Sequence, residues 1–81
     1  MKKTPMEKAA AAVLRETGWD VEEEDLAHLV DLHRRRSTAA IEKELARMTK
    51  GEHGGEPTEV QGRIDDLQVL LAARRALARA R

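Results

Sequence analysis

The chain contains no cysteine, phenylalanine or tyrosine, and Trp19 is its only tryptophan. The absence of cysteine excludes disulfide bridges and thiolate metal sites. Without large aromatic anchors, the core must be built from leucine, isoleucine, valine, methionine and alanine. The 81 residues give room for one domain, residues 1–81, and a domain of this size buries only about 60% of its unfolded surface. Such a thin core favours association with another chain.

The chain also lacks net charge and long apolar runs. Fifteen basic residues balance fifteen acidic ones, so the composition indicates no general attraction to nucleic acid or to anionic lipid. No apolar stretch approaches the ~20 residues that span a bilayer. Near the N-terminus, Lys2 and Lys3 are followed by Glu7 and Lys8 before a short alanine run. We therefore expect no signal peptide, no membrane segment and a cytoplasmic location.

The last third of the chain, residues 58–81, carries bulky apolar residues at helical spacing. Steps of four and three residues predict one long helix over about residues 58–80. Its apolar stripe must be covered by other helices of the chain or by a second chain. The stripe, which is the expected partner or dimer interface, consists of Val60, Ile64, Leu67, Leu70, Leu71 and Leu77.

A capping box predicts where the first helix begins. In Thr4-Pro5-Met6-Glu7 the threonine hydroxyl can accept from a backbone N–H three residues on, and proline suits the first helical position. Gly18 is a natural residue for the C-terminal end, so the helix should cover about residues 5–17. Its apolar positions lie on one face: Met6, Ala9, Ala10, Val13 and Leu14.

A second capping signal begins at Asp20 and predicts helix over residues 21–49, with Trp19 packed back as a staple. The alternative is a break near residues 36–38, with Ser37 as the cap of a new helix. Because no glycine or proline interrupts the segment, one continuous helix is favoured. Glycines and Pro57 then predict a loop over residues 50–57. The expected fold is all-α: an N-terminal helix followed by an antiparallel helical hairpin, forming a three- or four-helix bundle that dimerises.

Residues that could carry chemistry are few. His28, His33 and His53 are the only neutral nitrogen ligands, and the five-residue step between the first two places their rings on different helix faces. We expect no metal site. No candidate nucleophile and no glycine-rich phosphate cradle is present, so we expect no enzyme and no cofactor.

Residues 19–48 resemble small Myb-like or helix-turn-helix domains. The resemblance depends on Trp19, the acidic run at residues 23–25 and the start of a helix at residues 37–41; further aromatic residues of the pattern are missing. It implies that the helix after Ser37 would enter a DNA groove. The phosphate contacts that it implies are Arg34, Arg35 and Arg36.

Gln61-Gly62-Arg63-Ile64-Asp65 resembles the end of the signature of RsiG-type anti-sigma factors, small actinobacterial helical hairpins that hold cyclic di-GMP and bind a sigma factor. Gln61 and Asp65 match the last two signature positions and would be the nucleotide contacts. The three earlier positions fall on Lys50, Gly54 and Pro57, which do not match. Residues 63–65 with the leucines that follow also resemble the first helix of chorismate mutase, although the spacing is about one turn short.

Together these features predict a non-enzymatic helical protein that presents helical faces to a protein partner or to a second copy. The resemblance at residues 61–65 implies a small bacterial transcription regulator of the anti-sigma type, with a sigma factor as partner. One alternative is a helix-turn-helix DNA-binding protein. A second is a small helical subunit or assembly factor of a larger complex.

Overall fold

The computed structural model describes residues 4–51 and 55–79, and within these ranges it contains helices and no strand. Four helices follow one another along the chain: α1 (Pro5–Thr17), α2 (Glu23–Leu32), α3 (Thr38–Thr49) and α4 (Pro57–Arg79). The predicted all-α class is confirmed. Residues 52–54, with His53, and the ends of the chain, with Lys2, Lys3 and Arg81, lie outside the described residues.

Helix α1 begins and ends at the residues that its local signals indicate. The N–H of Glu7 donates to Thr4 Oγ1 at 3.1 Å, and Pro5 is the first helical residue. Gly18 ends the helix with φ of 81°, a conformation that glycine adopts without steric cost, and its N–H donates to the carbonyl of Leu14. Both ends are therefore fixed by contacts within a few residues.

The buried face of α1 coincides only in part with its apolar face. Ala9, Ala12 and Val13 are buried, whereas Leu14 is 48% exposed. An alanine run gives no apolar contrast, so the spacing alone did not reveal that Ala12 rather than Leu14 faces the other helices. Met6 and Ala10 are half-buried beside this face.

The favoured continuous helix over residues 21–49 is wrong: the chain turns between His33 and Ser37. Ser37 Oγ accepts from the N–H of Ala40 at 3.1 Å and caps α3. The carbonyl of His33, which a continuous helix would pair with the N–H of Ser37, accepts instead from the N–H of Arg36 and from Arg74 of α4. The turn is thus stabilised by its own cap and by a contact with a distant helix.

The predicted start of α2 is also wrong, since the helix begins at Glu23 and not at residue 21. Glu22 occupies the capping position without a side-chain hydrogen bond, and Asp20 lies outside the helix. The N–H of Trp19 donates to Thr17 Oγ1 at 3.2 Å, which ties the connection to the end of α1. Trp19 is 49% exposed rather than covered as a staple.

Helix α4 is the central element, because its sides pack against each of the other helices. One side meets α3 in a cluster that consists of Ile41, Leu67, Leu70 and Leu71. The other side meets α1 and α2 in a cluster, here called the alanine seam, that consists of Ala9, Ala12, Val13, Leu26, Val69, Ala72, Ala73 and Ala76. Alanine has little side chain to separate the helices, so it suits a seam where backbones approach closely.

Polar contacts also join α3 to α4. Thr38, at the start of α3, accepts from Arg74 near the end of α4, and Glu44 pairs with Arg63 nearer the start of α4. The two helices therefore run antiparallel, as predicted for the hairpin.

Candidate functional site

A groove of about 470 Å³ opens between α2, α4 and the connection that precedes α2, and we call it the Trp19 groove. Helix α2 contributes four residues at spacing 0, 3, 4 and 7, and α4 contributes four at the same spacing. This spacing places each set on one face of its helix. The α2 set consists of Asp25, His28, Leu29 and Leu32. The α4 set consists of Gly62, Asp65, Asp66 and Val69, and Trp19 and Val21 complete the lining.

The groove exposes large apolar side chains beside the core. Leu29 and Val69 belong to or pack against the alanine seam, so the base of the groove continues into the core. Trp19 is 49% exposed and Leu32 is 67% exposed. Two large apolar side chains on one concave surface form a patch of the kind that marks interaction sites, and tryptophan is enriched among residues that dominate binding.

Gly62 leaves one wall of the groove open. A Cβ placed at this position would meet nothing within 4 Å beyond its own helix backbone, so packing within the chain does not require glycine. Gly62 also lies inside α4, where glycine costs about 1 kcal/mol of helix stability relative to alanine. The residue thus reduces stability and provides space in the groove.

Three carboxylates, Asp25, Asp65 and Asp66, line the groove. Asp65 Oδ1 accepts from Gln61 Nε2 at 3.0 Å. The ion pairs of the described residues use Asp31, Glu44 and Glu16, and none of the three groove carboxylates. No lysine or arginine is among the lining residues, so the groove combines an apolar base with three carboxylates that no ion pair of the described residues engages.

The residues expected to contact nucleotide are adjacent in the structure. Gln61 and Asp65 lie one turn apart on α4 and are hydrogen-bonded to each other. Gln61 is exposed, whereas Asp65 is half-buried and lines the Trp19 groove. Lys50, at one of the unmatched signature positions, lies at the C-terminal end of α3.

The three arginines expected to contact DNA phosphates differ in their surroundings. Arg34 pairs with Asp31 at 3.2 Å, and Arg36 pairs with Glu44 at 2.5 Å. Arg35 is exposed. Two of the three guanidinium groups are therefore held by carboxylates of this chain.

Glu44 is the centre of a polar cluster that fixes the α2–α3 turn against α4. Its carboxylate accepts from Arg36 and, at 3.0 Å, from Arg63. Burial alone would raise the pKa of Glu44, but the hydrogen bonds from Arg36 and Arg63 outweigh it and hold the pKa below its ordinary value. The cluster thus joins three elements: the α2–α3 turn, α3 and α4.

His33 is buried beside this cluster, and burial lowers its pKa below the ordinary value. The positive charges of Arg63 and Arg36 act in the same direction, against the attraction of Glu44. The neutral imidazole is therefore the form that the folded chain favours.

The stripe expected to bind a partner is covered largely by the chain itself. Val60, Leu67, Leu70 and Leu71 are buried, and Ile64 and Leu77 are half-buried. Leu67, Leu70 and Leu71 form one cluster with Ile41 of α3, which agrees with the hairpin predicted from the sequence. A role of these residues in binding a second chain stays a prediction.

No family model, curated protein or solved structure matches this chain. The resemblances to anti-sigma factors, to helix-turn-helix domains and to chorismate mutase stay predictions. Among the described residues, no three histidine, aspartate or glutamate side chains group as metal ligands. No helix in these ranges is both long enough and apolar enough to cross a bilayer.

Sequence reasoning missed the groove, although part of its signal is visible. The sequence does show the helical spacing that places Leu29 and Leu32 on one face of α2. It also shows a glycine, Gly62, inside a strong helix pattern. The sequence does not show that these two helix surfaces face each other, because their arrangement depends on the break after α2 and on the rotation of α4 about its axis.

Proposed function

We propose that this chain is a non-enzymatic protein that binds another protein, and that the Trp19 groove receives an apolar helical segment of that partner. The observation that carries the proposal is the concave patch formed by Trp19, Leu32 and Leu29. An amphipathic helix laid in a groove buries apolar side chains on both partners, and it needs two flanking walls such as α2 and α4 provide.

The resemblance at residues 61–65 gives the proposal a more specific form, a bacterial transcription regulator of the anti-sigma type with a sigma factor as partner. Gly62 and Asp65, two residues of the resembling segment, line the groove. A subunit or assembly factor of a larger complex would use the same surface. The stoichiometry of the bound assembly distinguishes a regulator bound to one partner from a subunit of a larger complex.

The substitution Gly62→Leu tests the proposal because it adds an apolar side chain to the groove wall at a position where a Cβ meets no other part of the chain. Leucine has a better helix propensity than glycine, so the free energy of unfolding should rise by about 1 kcal/mol. Gln68→Leu is the matched control: it adds an exposed leucine to α4 outside the groove.

Tagged wild type and both variants are incubated with lysate of the native host, and bound proteins are identified by quantitative mass spectrometry. A partner recovered with the wild type and with Gln68→Leu, but not with Gly62→Leu, is the expected result. Equal recovery of every bound protein with Gly62→Leu refutes docking in the groove.

DNA binding is a second candidate, favoured by the turn between α2 and α3 and by the Ser37 cap of α3. In this function α3 would be the recognition helix. Against it, Arg34 and Arg36 are engaged by Asp31 and Glu44.

A further inference from the structure

We infer that the partner segment bound in the Trp19 groove is a basic amphipathic helix: apolar side chains face the groove, and lysine or arginine flanks them. The inference rests on the proposed docking function and names the chemistry of its occupant. Peptides that share an apolar face but differ in charge separate apolar docking from charge recognition.

Charge is the first reason. Asp25 lies on one wall of the groove, and Asp65 and Asp66 lie on the other. A segment between the walls would meet carboxylates on both sides, and none of these carboxylates has an ion-pair partner among the described residues. Flanking cations would compensate this charge and would speed association.

The arginines of α4 that lie near its C-terminal end are engaged away from the groove. In α4, Arg74 donates to the carbonyl of His33 and to Thr38, and Arg75 pairs with Glu16. These cations contact α1 and the α2–α3 turn, and they are not among the groove-lining residues. A chain with no net charge thus has a local acidic surface around its exposed tryptophan.

A second copy of this chain fits the groove poorly. In a two-fold symmetric contact each patch meets its own copy, so Asp25, Asp65 and Asp66 would face identical carboxylates. Like charges placed opposite one another across an interface oppose association. A different chain, with basic residues beside its apolar anchors, would complement both the shape and the negative charge of the groove.

Three synthetic amphipathic peptides test the inference. They share one leucine face and carry lysine, glutamine or glutamate at the polar positions. Trp19, the only tryptophan, lines the groove and reports binding through its fluorescence. We expect the lysine peptide to bind about tenfold more tightly than the glutamine peptide, which is the gain that a few exposed charge pairs give. Because salt screens such pairs, this difference in affinity should shrink as salt is added.

A double variant assigns the advantage to the groove. Asp25→Asn with Asp66→Asn should reduce the preference for the lysine peptide to less than about threefold. The matched control is Glu59→Gln with Glu42→Gln, which makes the same change in net charge outside the groove. Each pair includes one acid from the first turn of a helix, so losses of helix-dipole stabilisation are similar.

Equal or tighter binding of the glutamine or glutamate peptide overturns the charge inference and leaves apolar docking in place. The inference also fails if the control pair reduces the lysine preference as much as the groove pair does. No change in Trp19 fluorescence with any of the three peptides refutes docking in the groove and with it the occupant.

Discussion

Two neighbouring alanines of α1 have opposite surroundings, and the same substitution at each tests the packing of the helix. Ala12 is 1% exposed in the alanine seam, whereas Ala11 is exposed. Leucine and alanine have similar helix propensities, so leucine at either position leaves the intrinsic stability of α1 almost unchanged. A difference between the variants therefore measures tertiary packing.

The magnitude follows from the space around Ala12. Its cluster includes Ala72, Ala73 and Ala76, which are at most 7% exposed, so a leucine must push α1 and α4 apart or adopt an unfavourable rotamer. Overpacking of this kind costs about 1–3 kcal/mol. A chain of 81 residues has a stability of about 4–12 kcal/mol, so Ala12→Leu removes a substantial part of it.

Urea and thermal unfolding followed by far-ultraviolet circular dichroism measure the effect. We expect Ala12→Leu to lower Tm by about 4–24 °C, from about 4–8 °C per kcal/mol for a domain of this size. Ala11→Leu should change Tm by only a few degrees. Free energies of unfolding that agree within about 0.5 kcal/mol for the two variants would contradict the assignment of Ala12 to the seam.

Three further predictions concern other parts of the molecule. Leu67→Asp places a carboxylate at a site that is 1% exposed and should unfold the chain; unchanged helicity and mass in circular dichroism and light scattering would contradict this. Because the folded pKa of Glu44 is lowered, its ionised form stabilises the fold above its ordinary pKa of about 4.5, and that contribution is lost as pH falls through the folded value. Glu44→Gln should therefore cost about 1–2 kcal/mol at neutral pH and little in strong acid, as urea unfolding at several pH values would show. Since Glu44 holds Arg36 in a half-buried ion pair and only two exposed arginines remain beside it, we expect no duplex DNA binding at low salt; a gel shift that glutamine at residues 34–36 abolishes would favour the helix-turn-helix function instead.

Several features of the fold were predictable because they depend on contacts a few residues apart. The Thr4 cap, the proline at the start of α1 and the end at Gly18 each need only local geometry. The stripe of α4 was also readable, since four-and-three spacing places its leucines on one face. The local signal at Asp20 failed: Glu22 takes the capping position of α2, and Asp20 lies in the connection whose first part is tied to α1 by the bond from Trp19 N–H to Thr17 Oγ1.

The sequence by itself determined that the chain is helical, where its first helix begins and ends, and that α4 has an apolar face. Only the tertiary structure decided that α4 is buried on a second side by alanines, because alanine occurs equally well on covered and exposed faces. Tertiary structure also decided the Trp19 groove. Leu32 and Gly62 are thirty residues apart in the chain, and they line one surface because the turn after α2 allows α2 and α3 to pack separately against α4.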